Sequence, residues 1–89
     1  MEFEFDPDKS EANFAKHGID FTTAQALWLG MTIEAPALTT DELRSIVIGK
    51  ISDKHWTAVV TLRGRRTRII SVRRSRETER KLYEQQVQD

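Results

Sequence analysis

The chain has no cysteine. That removes disulfide staples, thiolate nucleophiles and cysteine metal sites together, and a small domain without disulfides fits a reducing cytoplasm better than an oxidising compartment. Only His17 and His55 are present as histidines, too few ligands for a transition-metal centre, so no metal or other cofactor is expected. No apolar run is long enough to cross a bilayer. The opening stretch, MEFEFDPDKS, is acidic and lacks the basic-then-apolar order of a secretory signal. There is no glycine-rich phosphate loop, no nucleophile motif and no internal repeat.

What is present is charge, unevenly placed. The 89 residues suit one domain with a modest core, and 38% hydrophobic with 31% charged residues is the composition of a folded chain rather than a disordered one. The formal net charge is zero. Residues 1–62 hold five bases against ten acids, a net −5. Residues 63–81 hold nine bases against Glu77 and Glu79, a net +7, and residues 82–89 add Glu84 and Asp89. Most of those bases are arginine, whose planar fork pairs with phosphate and carboxylate. A dipolar molecule of this kind points to a polyanion on its basic side.

The element pattern begins with EFEF, an alternation that reads as a short half-buried strand with Phe3 and Phe5 on one face. Asp6 then caps a helix with Pro7 at its first position and Gly18 at its end. Its expected buried side is Ala12, Phe14, Ala15 and Ile19. A second helix is expected from Asp20 to Gly30, with Phe21, Ala24, Leu27, Trp28 and Met31 on its apolar stripe. MTIEAPALTTDE reads as an edge strand or a loop. LRSIVIGKI, HWTAVVTL and RTRIISVRR are strand patterns joined by spacers short enough for antiparallel hairpins. Trp56, Ala58, Val60 and Leu62 share one face of the middle strand. Ser75 is placed to cap a final helix. The fold class is α+β, with two N-terminal helices and a C-terminal helix packed on a small antiparallel sheet, all in one domain spanning residues 1–89.

Along the last strand, simple alternation puts Arg68, Ile70, Val72 and Arg74 on one face and Thr67, Ile69, Ser71 and Arg73 on the other. Arg68 and Arg73 then share a face only if a bulge or twist intervenes. In the final helix Arg76 and Arg80, and Glu79 and Tyr83, are spaced four apart. Arg73 at the strand end lies close to that helix, so the hairpin and helix together offer guanidinium groups, a carboxylate and a phenol. A helix start adds its own preference for an anion. An ion pair between Glu79 and a neighbouring arginine fits the same spacing. His17 ends the first helix, where an imidazolium suits the helix dipole, and it is also a candidate acid or base. His55, beside Trp56 and next to a turn, is a second imidazole.

FEFDPDKSEANFAKHGIDF, IVIGKI and RIISVRRSRETERKLYE, in that order, resemble the BrnT family of bacterial type II toxins from about residue 3 to residue 84. The motifs that carry the resemblance are KHG after an Asn-bearing helix and RIIS-x-R before ER-x-x-Y. The resemblance implies a RelE-like fold, a ribonuclease that arrests translation, and a BrnA-type antitoxin with a ribbon-helix-helix part that neutralises the toxin. Operator DNA is implied only through the toxin–antitoxin complex. The matching positions are Lys16, His17 and Gly18, then Arg68, Ser71 and Arg73, then Glu79, Arg80 and Tyr83. Val72 stands where the family commonly has a small alanine, and the acidic approach TTDE is less regular.

The chemistry so implied is metal-independent cleavage in which the RNA's own 2′-hydroxyl attacks phosphorus, so the protein supplies a base, an acid and cations. Arg68, Arg73 and Arg80 are the candidate charge stabilisers. Glu79 is the first candidate base, although adjacent guanidinium groups depress a carboxylate and weaken it in that role. His17 is the second. Lys16, Arg65, Arg66, Arg74, Arg76 and Tyr83 are candidate RNA contacts. The alternative is a non-catalytic basic module that binds nucleic acid or docks an antitoxin.

Overall fold

The computed structural model describes residues 1–37 and 43–87. Strand β1 (Glu2–Glu4) leads into helix α1 (Pro7–His17), then a one-turn helix α2 (Phe21–Ala24) that tightens into a 3₁₀ segment, Gln25–Leu29. Strands β2 (Thr32–Pro36), β3 (Ser45–Ile51), β4 (Lys54–Arg63) and β5 (Arg66–Arg74) follow, and helix α3 (Glu77–Val87) closes the chain. The five strands form one sheet in the order β1-β5-β4-β3-β2. β3, β4 and β5 pair antiparallel, as the short spacers predict, and β2 pairs antiparallel with β3, but β1 runs parallel to β5, so the sheet is mixed. Thr32–Pro36 takes the edge-strand alternative, and the polar end of that stretch, residues 38–42, lies outside the described residues.

The expected caps of α1 are present. Asp6 accepts the Asp8 N–H at 2.9 Å, Pro7 occupies the first turn, and Gly18 takes φ +80°, a left-handed conformation that glycine adopts without steric cost. The expected buried face of α1 is corrected. Ala12, Phe14 and Ala15 are exposed, Phe14 by 59%, and the helix buries Ser10 and Asn13 instead. The reason is backbone satisfaction. β1 ends at Glu4, opposite Arg68, and leaves the rest of β5 without a strand on that side. The Asn13 amide fills the gap: its Oδ1 accepts the Val72 N–H at 3.1 Å and its Nδ2 donates to the Val72 carbonyl at 2.9 Å. The same Nδ2 donates to the Ile19 carbonyl at 2.8 Å. The Ser10 hydroxyl accepts the Phe21 N–H at 2.9 Å, one of the orphan donors at the start of α2. Buried backbone groups must be paired, and here that requirement outranks burial of Phe14.

α2 is capped by Asp20, which accepts the Thr23 N–H at 2.7 Å. Hydrogen bonding to the ionised carboxylate holds Asp20 below its ordinary pKa. Phe21, Ala24 and Leu27 are fully buried, a spacing of three that the tighter winding keeps on one side. Trp28 packs edge-on against Phe3 with centroids 4.8 Å apart, and Met31 is exposed. The main core joins these residues to Ile19, Val47, Trp56, Ala58, Val60, Ile69 and Val72 on one face of the sheet. Leu62, expected on that face, is 74% exposed beyond the core's edge. The opposite face, carrying Ile48 and Thr57, receives α3.

Candidate functional site

The register of β4 against β5 slips between Val59 and Val60. Val59 pairs with Ser71 and Val60 with Ile69, so Ile70 is an extra residue in β5, a β-bulge. The bulge corrects the expected face assignment. Thr67, Ile69, Val72 and Arg74 lie towards the main core, and the first three are buried. Arg66, Arg68, Ser71 and Arg73 share the face that α3 partly covers, so Arg68 and Arg73 do stand on one side.

α3 is tied to that face at its first turn. Arg73 donates from Nη1 and Nη2 to the two carboxylate oxygens of Glu79, at 2.7 and 2.9 Å. The same carboxylate accepts the Thr57 hydroxyl at 3.0 Å and the Arg76 N–H at 2.8 Å. Glu79 thus reaches back to the residue before the helix, half of a capping box. Ser75, the expected cap, spends its hydroxyl on Thr57 at 2.8 Å instead. The Arg73 fork is the main cause of a Glu79 pKa lowered to about 2; burial opposes the shift without overcoming it. Glu79 reciprocally raises Arg73. A carboxylate so occupied is a weak proton acceptor at neutral pH, which argues against Glu79 as the base.

The other expected residues fall in different places. Arg68 donates to Glu4 at 2.8 Å, and Arg63 approaches the same carboxylate at 3.5 Å. Arg65 and Arg66 are exposed around the β4–β5 turn, where with Arg63, Gly64, Glu2 and Glu4 they line a shallow cavity of about 480 Å³. Arg74 lies over the Trp56 ring, 5.5 Å from its centroid. Arg76 is exposed and contributes its N–H to Glu79. Lys16 is exposed and His17 half-buried in the last turn of α1, and no hydrogen bond joins His17 to Arg68, Arg73 or Glu79. Tyr83 is corrected from RNA contact to internal strut: it is 4% exposed and its hydroxyl donates to the Met31 carbonyl at 3.0 Å. Burial pushes its phenol above the ordinary range.

Arg80 lines a groove of about 410 Å³ beside α3 together with His55, Glu77, Lys81, Glu84 and Gln85. In its wall, His55 Nε2 lies 2.7 Å from Glu84 Oε1, and the imidazole packs edge-on against Tyr83 with centroids 5.4 Å apart. His55 stands out in the sequence as a second imidazole, but this pairing does not. Glu84 is 29 positions away, and no local spacing links the two.

A family model described as "Ribonuclease toxin, BrnT, of type II toxin-antitoxin system" matches residues 5–79. The chain belongs to the BrnT toxin family. No curated protein matches the chain. Within the BrnT match lie α1, strands β2 to β5, and the Arg73–Glu79 clamp; β1 precedes it, and Arg80, Tyr83 and Glu84 follow it. BrnT membership makes this a ribonuclease toxin of a type II toxin–antitoxin system, and such a system includes an antitoxin partner.

Proposed function

We propose that this chain is a RelE-like, metal-independent endoribonuclease that arrests translation and is neutralised by a BrnA-type ribbon-helix-helix antitoxin. The observation that carries the reading is the family match across most of the chain, by a model whose description names a ribonuclease toxin. The geometry adds a way to hold RNA. Among the described residues, Arg65, Arg66, Arg74, Arg76 and Arg80 have no carboxylate partner, whereas Arg68 and Arg73 are each compensated by one. The unpaired guanidinium groups are the ones with charge to spend on phosphates. Of the three proposed charge stabilisers, Arg80 is therefore first, with Arg68 and Arg73 acting as oriented donors within ion pairs.

The proposed reaction is attack of the 2′-hydroxyl on the adjacent phosphorus, with loss of the 5′-oxygen. The protein has no need of its own nucleophile. It supplies cations to the charge that builds on the phosphate, and a base to the attacking hydroxyl.

The test is growth after induction of the wild type, Arg80→Ala and Arg73→Ala, with cleavage of total RNA followed in chelator. Wild type arrests growth and cleaves RNA with chelator present. Arg80→Ala loses about 10²-fold in rate, the usual cost of one charge-stabilising donor. Arg73→Ala loses activity together with stability. Growth unaffected by wild type, with intact RNA, sinks the proposal.

A further inference from the structure

We propose that His55 is the general base of RNA cleavage, held and charged-balanced by Glu84, with the reacting phosphate on Arg80 in the groove beside α3. The inference rests on the ribonuclease reading and assigns its missing proton acceptor.

Each part of the site is fixed by a different element. His55 sits near the start of β4, and its carbonyl accepts the Ser75 N–H at 3.1 Å, which holds its backbone where α3 begins. Lys50 is its partner across β3. From α3, Tyr83 packs on the ring and Glu84 meets Nε2. With Glu84 ionised, the neutral imidazole donates Nε2–H to it, which leaves the lone pair on Nδ1. Nδ1 makes no hydrogen bond, and no buried side-chain polar atom lacks a partner among the described residues, so Nδ1 reaches solvent. The imidazole side chain is 13% exposed, and the groove it lines is where Arg80 carries a guanidinium with no carboxylate partner among the described residues. Lys81 in the same wall is paired with Glu77 at 3.4 Å.

The step balances without an outside reagent. His55 Nδ1 takes the 2′-hydroxyl proton as O2′ bonds to phosphorus. The bond from phosphorus to O5′ breaks, and O5′ takes a proton from water in the open groove. The imidazolium, stabilised by Glu84, returns its proton to the solvent. The products are a 2′,3′-cyclic phosphate and a 5′-hydroxyl. Arg80 bears the charge on the non-bridging oxygens. His55 and Arg80 are thus catalytic residues, and Glu84 is a positioning residue.

The experiment uses the full chain and a short RNA, with its 2′-deoxy counterpart as the uncleavable ligand. Expected for His55→Ala is a fall in kcat of about 10²-fold or more, with KM and deoxy-ligand affinity within about twofold and partial rescue by added imidazole. Glu84→Gln lowers kcat about tenfold with KM unchanged. Thermal melting checks each variant's fold. Because His55 also packs on Tyr83, the wild type is titrated with the deoxy ligand and the His55 ring proton is followed by NMR; it shifts if the groove is occupied. An active wild type whose His55→Ala variant is folded and equally fast overturns the base assignment and leaves the ribonuclease reading standing. A His55 signal unmoved by saturating ligand does the same. A wild type that cleaves no RNA overturns both.

Discussion

Asn13 and Glu79 show how one side chain sets a neighbourhood. Asn13 stands in for a missing strand by pairing with both backbone groups of Val72, and it ties α1 to the following loop through Ile19. Asn13→Ala leaves buried backbone donors and acceptors unpaired, and urea unfolding is expected to show a loss of about 2 kcal/mol or more. The exposed Phe14→Ala changes stability by less than about 0.5 kcal/mol in the same measurement. Glu79 carries a sign that pH can read. Its folded pKa is lowered from 4.5 to about 2, so its stabilisation is fully present above about pH 4.5 and is lost as pH falls towards 2. Glu79→Gln is less stable at neutral pH, and the slope of stability against pH between 4.5 and 2 becomes shallower than in the wild type. Parallel slopes for the two proteins in that window are incompatible with the clamp.

At the scale of elements, the bulge in β5 decides which arginines stand together. The alternation in RTRIISVRR shows that Arg68 and Arg73 meet only through a bulge or twist, but it does not locate one, because a bulge is a property of the pair of strands. Ile70 is the inserted residue. Deleting it removes the bulge yet leaves Thr67, Ile69 and Val72 alternating on one face and Arg68, Ser71 and Arg73 on the other. That variant is expected to keep a cooperative melting transition, and a non-cooperative melt shows that the bulge itself is needed. Ile70→Ala keeps the bulge and melts within a few degrees of the wild type. The caps of α1 and the Asp20 cap were legible in the sequence because each is a contact between near neighbours. The cap of α3 was not. The Ser75 hydroxyl is claimed by Thr57 and the helix start by Glu79, a competition that only the packed strand creates.

For the whole molecule, the net charge of zero hides the basic segment, and pairing sorts that segment into structural and available charge. Glu4 and Glu79 neutralise Arg68 and Arg73, while Arg65 and Arg66 stand exposed around a turn. Binding of an uncleavable single strand is expected to weaken with salt at about −0.7 in log–log slope per phosphate contact. The double variant Arg65→Ala, Arg66→Ala lowers the magnitude of that slope by about 1.4, and an unchanged slope removes these two from the interface. No helix among the described residues is long and apolar enough to cross a membrane.

The sequence by itself determined the order of the elements, the hairpins, the first helix with both caps, most of the core and the polarised charge. Those features depend on spacing and on residues close in the chain. The resemblance carried by KHG and RIIS-x-R pointed to the family that the match over residues 5–79 establishes. Only the tertiary structure decided that α1 buries Asn13 rather than Phe14, that β1 joins the sheet in parallel, that Tyr83 is a strut, and which arginines are compensated. It also brought His55 to Glu84. The physical reason is common to all of these. Each turns on whether a polar group finds its partner far away in the chain, and a buried polar group without a partner costs more than an apolar side chain left in water.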